Sequence, residues 1–62
     1  MKNETMSFKE IQKLWNSQHF LERLVFLMNK LKVLQDEAEN LSELEFKKLP
    51  DNYKVQIYQV LN

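Results

Sequence analysis

Residues 20–41 read FLERLVFLMNKLKVLQDEAENL, and this stretch decides the fold. Within it Phe20, Leu24, Leu27, Leu31, Leu34, Ala38 and Leu41 follow one another at spacings of four and three. That alternation places all seven on one side of an α-helix. No Gly or Pro interrupts the run. The spacing predicts a single helix over residues 18–40. It predicts an all-α protein, a small bundle of three to four helices dominated by that one long amphipathic helix. The seven stripe residues are the expected self-association seam, where the helix meets its copy in a homodimer. Leu21, Val25, Phe26 and Met28 widen the apolar face in the first half, which predicts burial on more than one side. The second half narrows to a two-helix seam.

Upstream, Ser7-Phe8-Lys9-Glu10 has the form of a capping box, with Met6 and Ile11 at the positions of a hydrophobic staple. A first helix is expected from Ser7, with Phe8, Ile11, Leu14 and Trp15 as its apolar face. Residues 1–6 are expected to be a flexible N-terminus, and residues 7–62 a single helical domain. The polar run Asn16-Ser17-Gln18-His19 predicts a short turn before the long helix. Downstream, Ser42-Glu43-Leu44-Glu45 has the form of a second capping box. It predicts a short helix ending before Pro50, because proline pushes the preceding residue out of the helical region. Asp51 or Asn52 is then placed to cap a last helix through Tyr53, Ile57, Val60 and Leu61. The segment 53–60 also alternates with strand period and is β-branched and aromatic. A lone strand lacks a partner, so helix is expected unless a dimer pairs two such tails.

Composition narrows the function. A chain of 62 residues buries only about 60% of its unfolded surface, and its core supplies about 3–5 kcal/mol net. Chains of this size are reinforced by disulfides, metals or association. There is no Cys and one His, which removes disulfides, thiolate zinc sites and His clusters. Nine basic residues balance nine acidic ones, and Lys outnumbers Arg eight to one. That balance makes direct nucleic-acid binding a weak expectation. The bias towards Lys, Asn and Leu suits an AT-rich genome, as in many low-GC bacteria and phages; a phage- or plasmid-encoded regulator is the concrete form of the first function given below. No secretory pattern opens the chain and no apolar run is long enough for a bilayer, so a cytoplasmic location and no membrane contact are expected.

Catalytic, cofactor and metal motifs are not found. His19 and Glu22 sit at helical spacing but without a pocket to orient them. Ser7, Ser17 and Ser42 fall at capping positions. Calcium and phosphate loops need Gly, which is absent. No cofactor is therefore expected, and the protein is read as non-enzymatic. Its candidate partner-binding residues are aromatic and acidic. Trp15 stands at a helix end beside a polar break, and Phe26, with Val33, lies off the stripe. Asp36, Glu37 and Glu39 begin an acidic belt that continues through Glu43 and Glu45 with no base among them. Such a belt can meet a basic partner, although a solvated helix face is the simpler reading.

Ser7-Phe8-Lys9-Glu10-Ile11 followed by Phe20-Leu21-Glu22-Arg23-Leu24 faintly resembles the opening of the Hha/YmoA nucleoid modulators, over roughly residues 6–31. Those are small helical proteins that bind the dimerisation region of H-NS-type silencers. The family's later acidic–aromatic helix has no clear counterpart here. Three functions follow in order of expectation. The first is a protein-binding module, a small regulator or inhibitor of a larger protein. The second, which the resemblance implies, is a transcription or nucleoid modulator working through a DNA-binding partner. The third is direct DNA binding around Pro50 through Lys47, Lys48 and Lys54.

Overall fold

A computed structural model describes residues 6–62, so the expectation of a flexible N-terminus lies, apart from Met6, outside the described residues. The described residues are helical, with no strand among them. Four α-helices follow in order: α1 (Phe8–Ser17), α2 (Phe20–Lys30), α3 (Gln35–Ser42) and α4 (Asp51–Leu61), with a 3-10 turn at Phe46–Lys48. α2 packs mainly on α3, while α1 packs on α4 and on the 3-10 turn.

The start of α1 is built as its sequence predicts. Ser7 Oγ accepts from the Glu10 amide at 3.1 Å, and Glu10 Oε1 accepts from the Ser7 amide at 2.8 Å. Two otherwise orphaned donors are satisfied reciprocally. α1 ends at Gln18, whose backbone is extended. α2 opens one residue later, where Glu22 reaches back to the His19 amide at 2.9 Å. The carboxylate of the His19–Glu22 pair thus serves the backbone of a helix start.

The long helix expected over residues 18–40 is two helices. The chain leaves α2 at Leu31, passes through Lys32 at φ 60°, and re-enters a helix after Leu34. The Leu27 carbonyl accepts from both the Leu31 and the Val33 amides, which seals the end of α2. A lysine in the left-handed region costs about 1–2 kcal/mol. An unbroken helix from 20 to 41 would run about 33 Å, and its second half would extend past anything α1 can cover. Folding back brings Ala38 and Leu41 into the same core as Leu27. Burying one leucine side chain contributes roughly 1.5–3 kcal/mol, so the fold-back outweighs the strained turn.

Ser42 does not cap a new helix. It is the last residue of α3, almost fully buried, with its hydroxyl donating to the Ala38 carbonyl at 2.7 Å. The 3-10 turn is served from elsewhere, by Asn16 Oδ1, which accepts from the Phe46 amide at 2.9 Å. Leu49 is extended before Pro50, and Pro50 itself takes the cap position of α4, with Asp51 and Asn52 inside the first turn. Residues 53–60 are helical, with Ile57 buried, so the strand alternative is not realised. The core is Ile11, Trp15, Leu27, Ala38, Leu41, Phe46, Leu49 and Ile57, drawn from every element. At the open end of α4, Asn62 Oδ1 accepts from the Met6 amide at 2.6 Å, holding the start of the described chain against its last helix.

Candidate protein-binding surfaces

The stripe lies largely inside the protein. Leu27, Ala38 and Leu41 are core residues, and Leu24 and Leu31 are half-buried against them. Phe20 and Leu34 are exposed, Leu34 at 79%. Leu34 stands at the cap position of α3, outside any helical face. The seven residues therefore do not form the continuous seam expected for self-association. The left-handed turn at Lys32 divides them between two helices, and their apolar face is spent on the intramolecular core.

Trp15 is not an exposed anchor. It is 4% exposed, and its indole Nε1 donates to the Leu44 carbonyl at 2.9 Å. The Arg23 guanidinium lies 5.2 Å from the ring centre, within cation–π range. Arg23 Nε donates to the Trp15 carbonyl at 3.1 Å, and one terminal nitrogen donates to the Ser42 and Leu44 carbonyls at 2.9 and 3.2 Å. The other terminal nitrogen reaches the Asn16 carbonyl at 3.4 Å. These carbonyls belong to, or directly follow, the last turns of α1 and α3. Neither helix carries a base in its own last turn. Arg23 therefore supplies from α2 the positive charge that both helix C-termini favour.

Phe26 is half-buried. It lines a dimple of about 70 Å³ with Leu14, Trp15, Gln18, Ile57 and Leu61, between α1, α2 and α4. Val33, grouped with Phe26 off the stripe, is half-buried against the core.

Two residues of the acidic belt are bonded within the chain. Glu37 accepts a short hydrogen bond from the Tyr53 hydroxyl, and Glu39 accepts from the Gln35 amide at 3.1 Å. Asp36 is exposed in the first turn of α3, where the helix dipole favours a carboxylate. The bond to Glu37, helped by burial and by the carboxylate's charge, raises the Tyr53 phenol above its ordinary value near 10. Both candidate groups thus meet α4: Glu37 at Tyr53 in its first turn, Phe26 at Ile57 and Leu61 further along. Glu37 fastens α3 to α4, Glu39 bonds within α3, and Asp36 points to solvent.

The surface that sequence reasoning placed inside is the outer face of α2. Leu21 is 67% exposed, Val25 53% and Met28 36%. They recur at i, i+4 and i+7, the spacing of a helix–helix contact. Phe26 flanks them, and a shallow groove on this face is lined by Leu21, Glu22, Val25, Phe26, Asn29 and Lys30. The signal was present in the chain as the residues that widened the stripe.

Among the described residues, no group of three or more His, Cys, Asp or Glu side chains comes together to hold a metal ion. No helix among them is long and apolar enough to cross a membrane. No family model matches the chain, and neither does a curated protein or a solved structure. The likeness to the Hha/YmoA modulators rests on the residues quoted for it.

Proposed function

We propose that this chain is a non-enzymatic protein-binding module that docks by helix–helix contact through the outer face of α2. The observation that carries this reading is the exposure of Leu21, Val25 and Met28 at helical spacing on a protein with little core to spare. Exposed apolar residues scattered singly need no explanation, but a contiguous row of them marks a contact surface. The concrete form is a small regulator or inhibitor that lays α2 against an amphipathic helix of a larger protein.

Exposed positions make the test clean. Val25→Lys and Leu21→Lys should leave the helical circular dichroism and the unfolding midpoint nearly unchanged, because surface substitutions rarely move stability by more than about 0.5 kcal/mol. The same variants should fail to retain a partner that the unaltered chain captures from host lysate. Retention of every partner by both folded variants would remove this face from consideration.

A further inference from the structure

The outer face of α2 is self-complementary, and we infer that its occupant is a second copy of this chain, packed antiparallel about a two-fold axis between Val25 and Phe26. This rests on the docking surface proposed above and names what covers it in the free protein, before a larger partner displaces the second copy.

The six groove residues are 21, 22, 25, 26, 29 and 30. A two-fold axis level with the midpoint of 25 and 26 sets 21 level with 30 of the second copy, 22 with 29 and 25 with 26, so the six positions of one copy face the same six of the other. That is the requirement of an isologous interface, in which the same patch serves both subunits. Charge then selects the direction. Glu22 lies in the first turn of α2 and Lys30 in the last, eight residues or about 12 Å apart, too far to pair within one chain. Antiparallel packing brings Glu22 of one copy beside Lys30 of the other at both ends of the contact. Parallel packing sets Glu22 against Glu22 and Lys30 against Lys30, which repel. The helix dipoles favour the same antiparallel arrangement. Glu22 Oε1 is already held by the His19 amide, so the carboxylate is fixed at its end of the groove. Val25 and Phe26 supply the apolar centre between the two charged ends, with Leu21 at each margin.

The contact is small. α2 has 11 residues, about 16 Å of helix, so a single helix pair falls below the roughly 1,200 Å² of a standard stable interface. Association on the order of 100 µM is expected rather than a permanent dimer.

The chain has no cysteine, so each introduced thiol is unique. A disulfide needs Cα atoms within about 7 Å. Val25→Cys, next to the axis, should cross-link to itself faster than the exposed control Gln59→Cys. Leu21→Cys mixed with Asn29→Cys should give the mixed dimer in excess over the Leu21→Cys self-dimer, because antiparallel packing holds the two Leu21 positions about 13 Å apart along the axis. Sedimentation of the unaltered chain should show concentration-dependent dimer at hundreds of micromolar. Glu22→Gln, which keeps the cap to His19, should weaken association several-fold and reduce its dependence on salt. A monomer throughout that range overturns the inference, as does self-linking by Leu21→Cys that equals or exceeds the mixture. If the chain stays monomeric while Val25→Lys still loses a captured partner, self-pairing fails and the docking surface stands.

Discussion

Removing Arg23 should cost this protein about half of its stability or more without deleting any residue of the apolar core. The side chain donates to carbonyls at the ends of two helices, with its best contacts at 2.9 and 3.1 Å. A hydrogen bond from a charged donor contributes about 1.5–3 kcal/mol, but these bonds are only partly buried, and the acceptors are not all orphaned when the guanidinium goes. The Trp15 carbonyl keeps the Gln18 amide, and the Leu44 carbonyl keeps the Trp15 indole. Ser42 and Asn16 lose the donor that Arg23 gave their carbonyls. The discounted cost of Arg23→Ala is about 2–3 kcal/mol, against a net stability of about 3–5 kcal/mol for a chain this short. Arg23→Lys keeps a cation near both helix ends but cannot reproduce the fork, and about half that cost is expected. Urea unfolding followed by circular dichroism measures both. With a slope near 1 kcal/mol per molar, the alanine variant should unfold roughly 2 M earlier. Trp15 is the one tryptophan, so its fluorescence reports from the ring Arg23 covers and should change in the native baseline. An Arg23→Ala variant within about 0.5 kcal/mol of the unaltered chain would refute the clamp.

Three further outcomes follow from the same geometry. Lys32→Gly should raise stability by roughly 0.5–1 kcal/mol by relieving the left-handed lysine, while Lys32→Val should lower it, since a β-branched residue tolerates positive φ least; a loss with Gly in urea unfolding would place the strain elsewhere. Ser7→Ala should cost about 1 kcal/mol as a lost N-cap, whereas Ser42→Ala should lie within about 0.5 kcal/mol of neutral, because its hydroxyl only back-bonds within a helix. Equal costs in thermal unfolding would contradict that contrast. Tyr53→Phe should destabilise the protein mildly at neutral pH. The folded phenol titrates above its ordinary value, so its contribution is complete below about pH 10 and fades as pH rises through the raised value. The gap between Tyr53→Phe and the unaltered chain should therefore close at alkaline pH; a gap that widens there reverses the sign and sinks the assignment.

The parts of the fold that could be read from sequence are those written in side-chain-to-backbone chemistry. Ser7 with Glu10 starts α1, and Pro50 ends the segment before α4, because each acts on its nearest neighbours whatever the rest of the chain does. The break at residues 31–34 uses none of the usual punctuation: no Gly, Pro, Ser or Asn stands there. It is made by a lysine in a conformation that tertiary packing imposes, and propensity gives way to burial. A fainter mark was present in the charges. Lys30 closes α2 and Asp36 and Glu37 open α3, the order that helix dipoles favour at an end followed by a start. The same acids read equally well as a surface belt as long as the helix was taken to be continuous.

The exposed apolar face of α2 was misplaced for a related reason. Two sets of apolar residues on α2 share helical spacing: Leu24 and Leu27 with Leu31, and Leu21 and Val25 with Met28. Periodicity establishes that each set shares a face but is silent on which face turns inward. That choice belongs to the covering elements. Here it is tied to Arg23, which must point between α1 and α3 to reach their carbonyls. Arg23 precedes Leu24 and lies one turn before Leu27, so fixing its direction turns those leucines into the core and Leu21 and Val25 outward. A sole arginine among eight lysines therefore sets the rotation of α2 as well as joining three helices. The exposed face follows from the clamp: a side chain that needs several acceptors at once leaves the helix one orientation, and the apolar residues opposite it stay exposed.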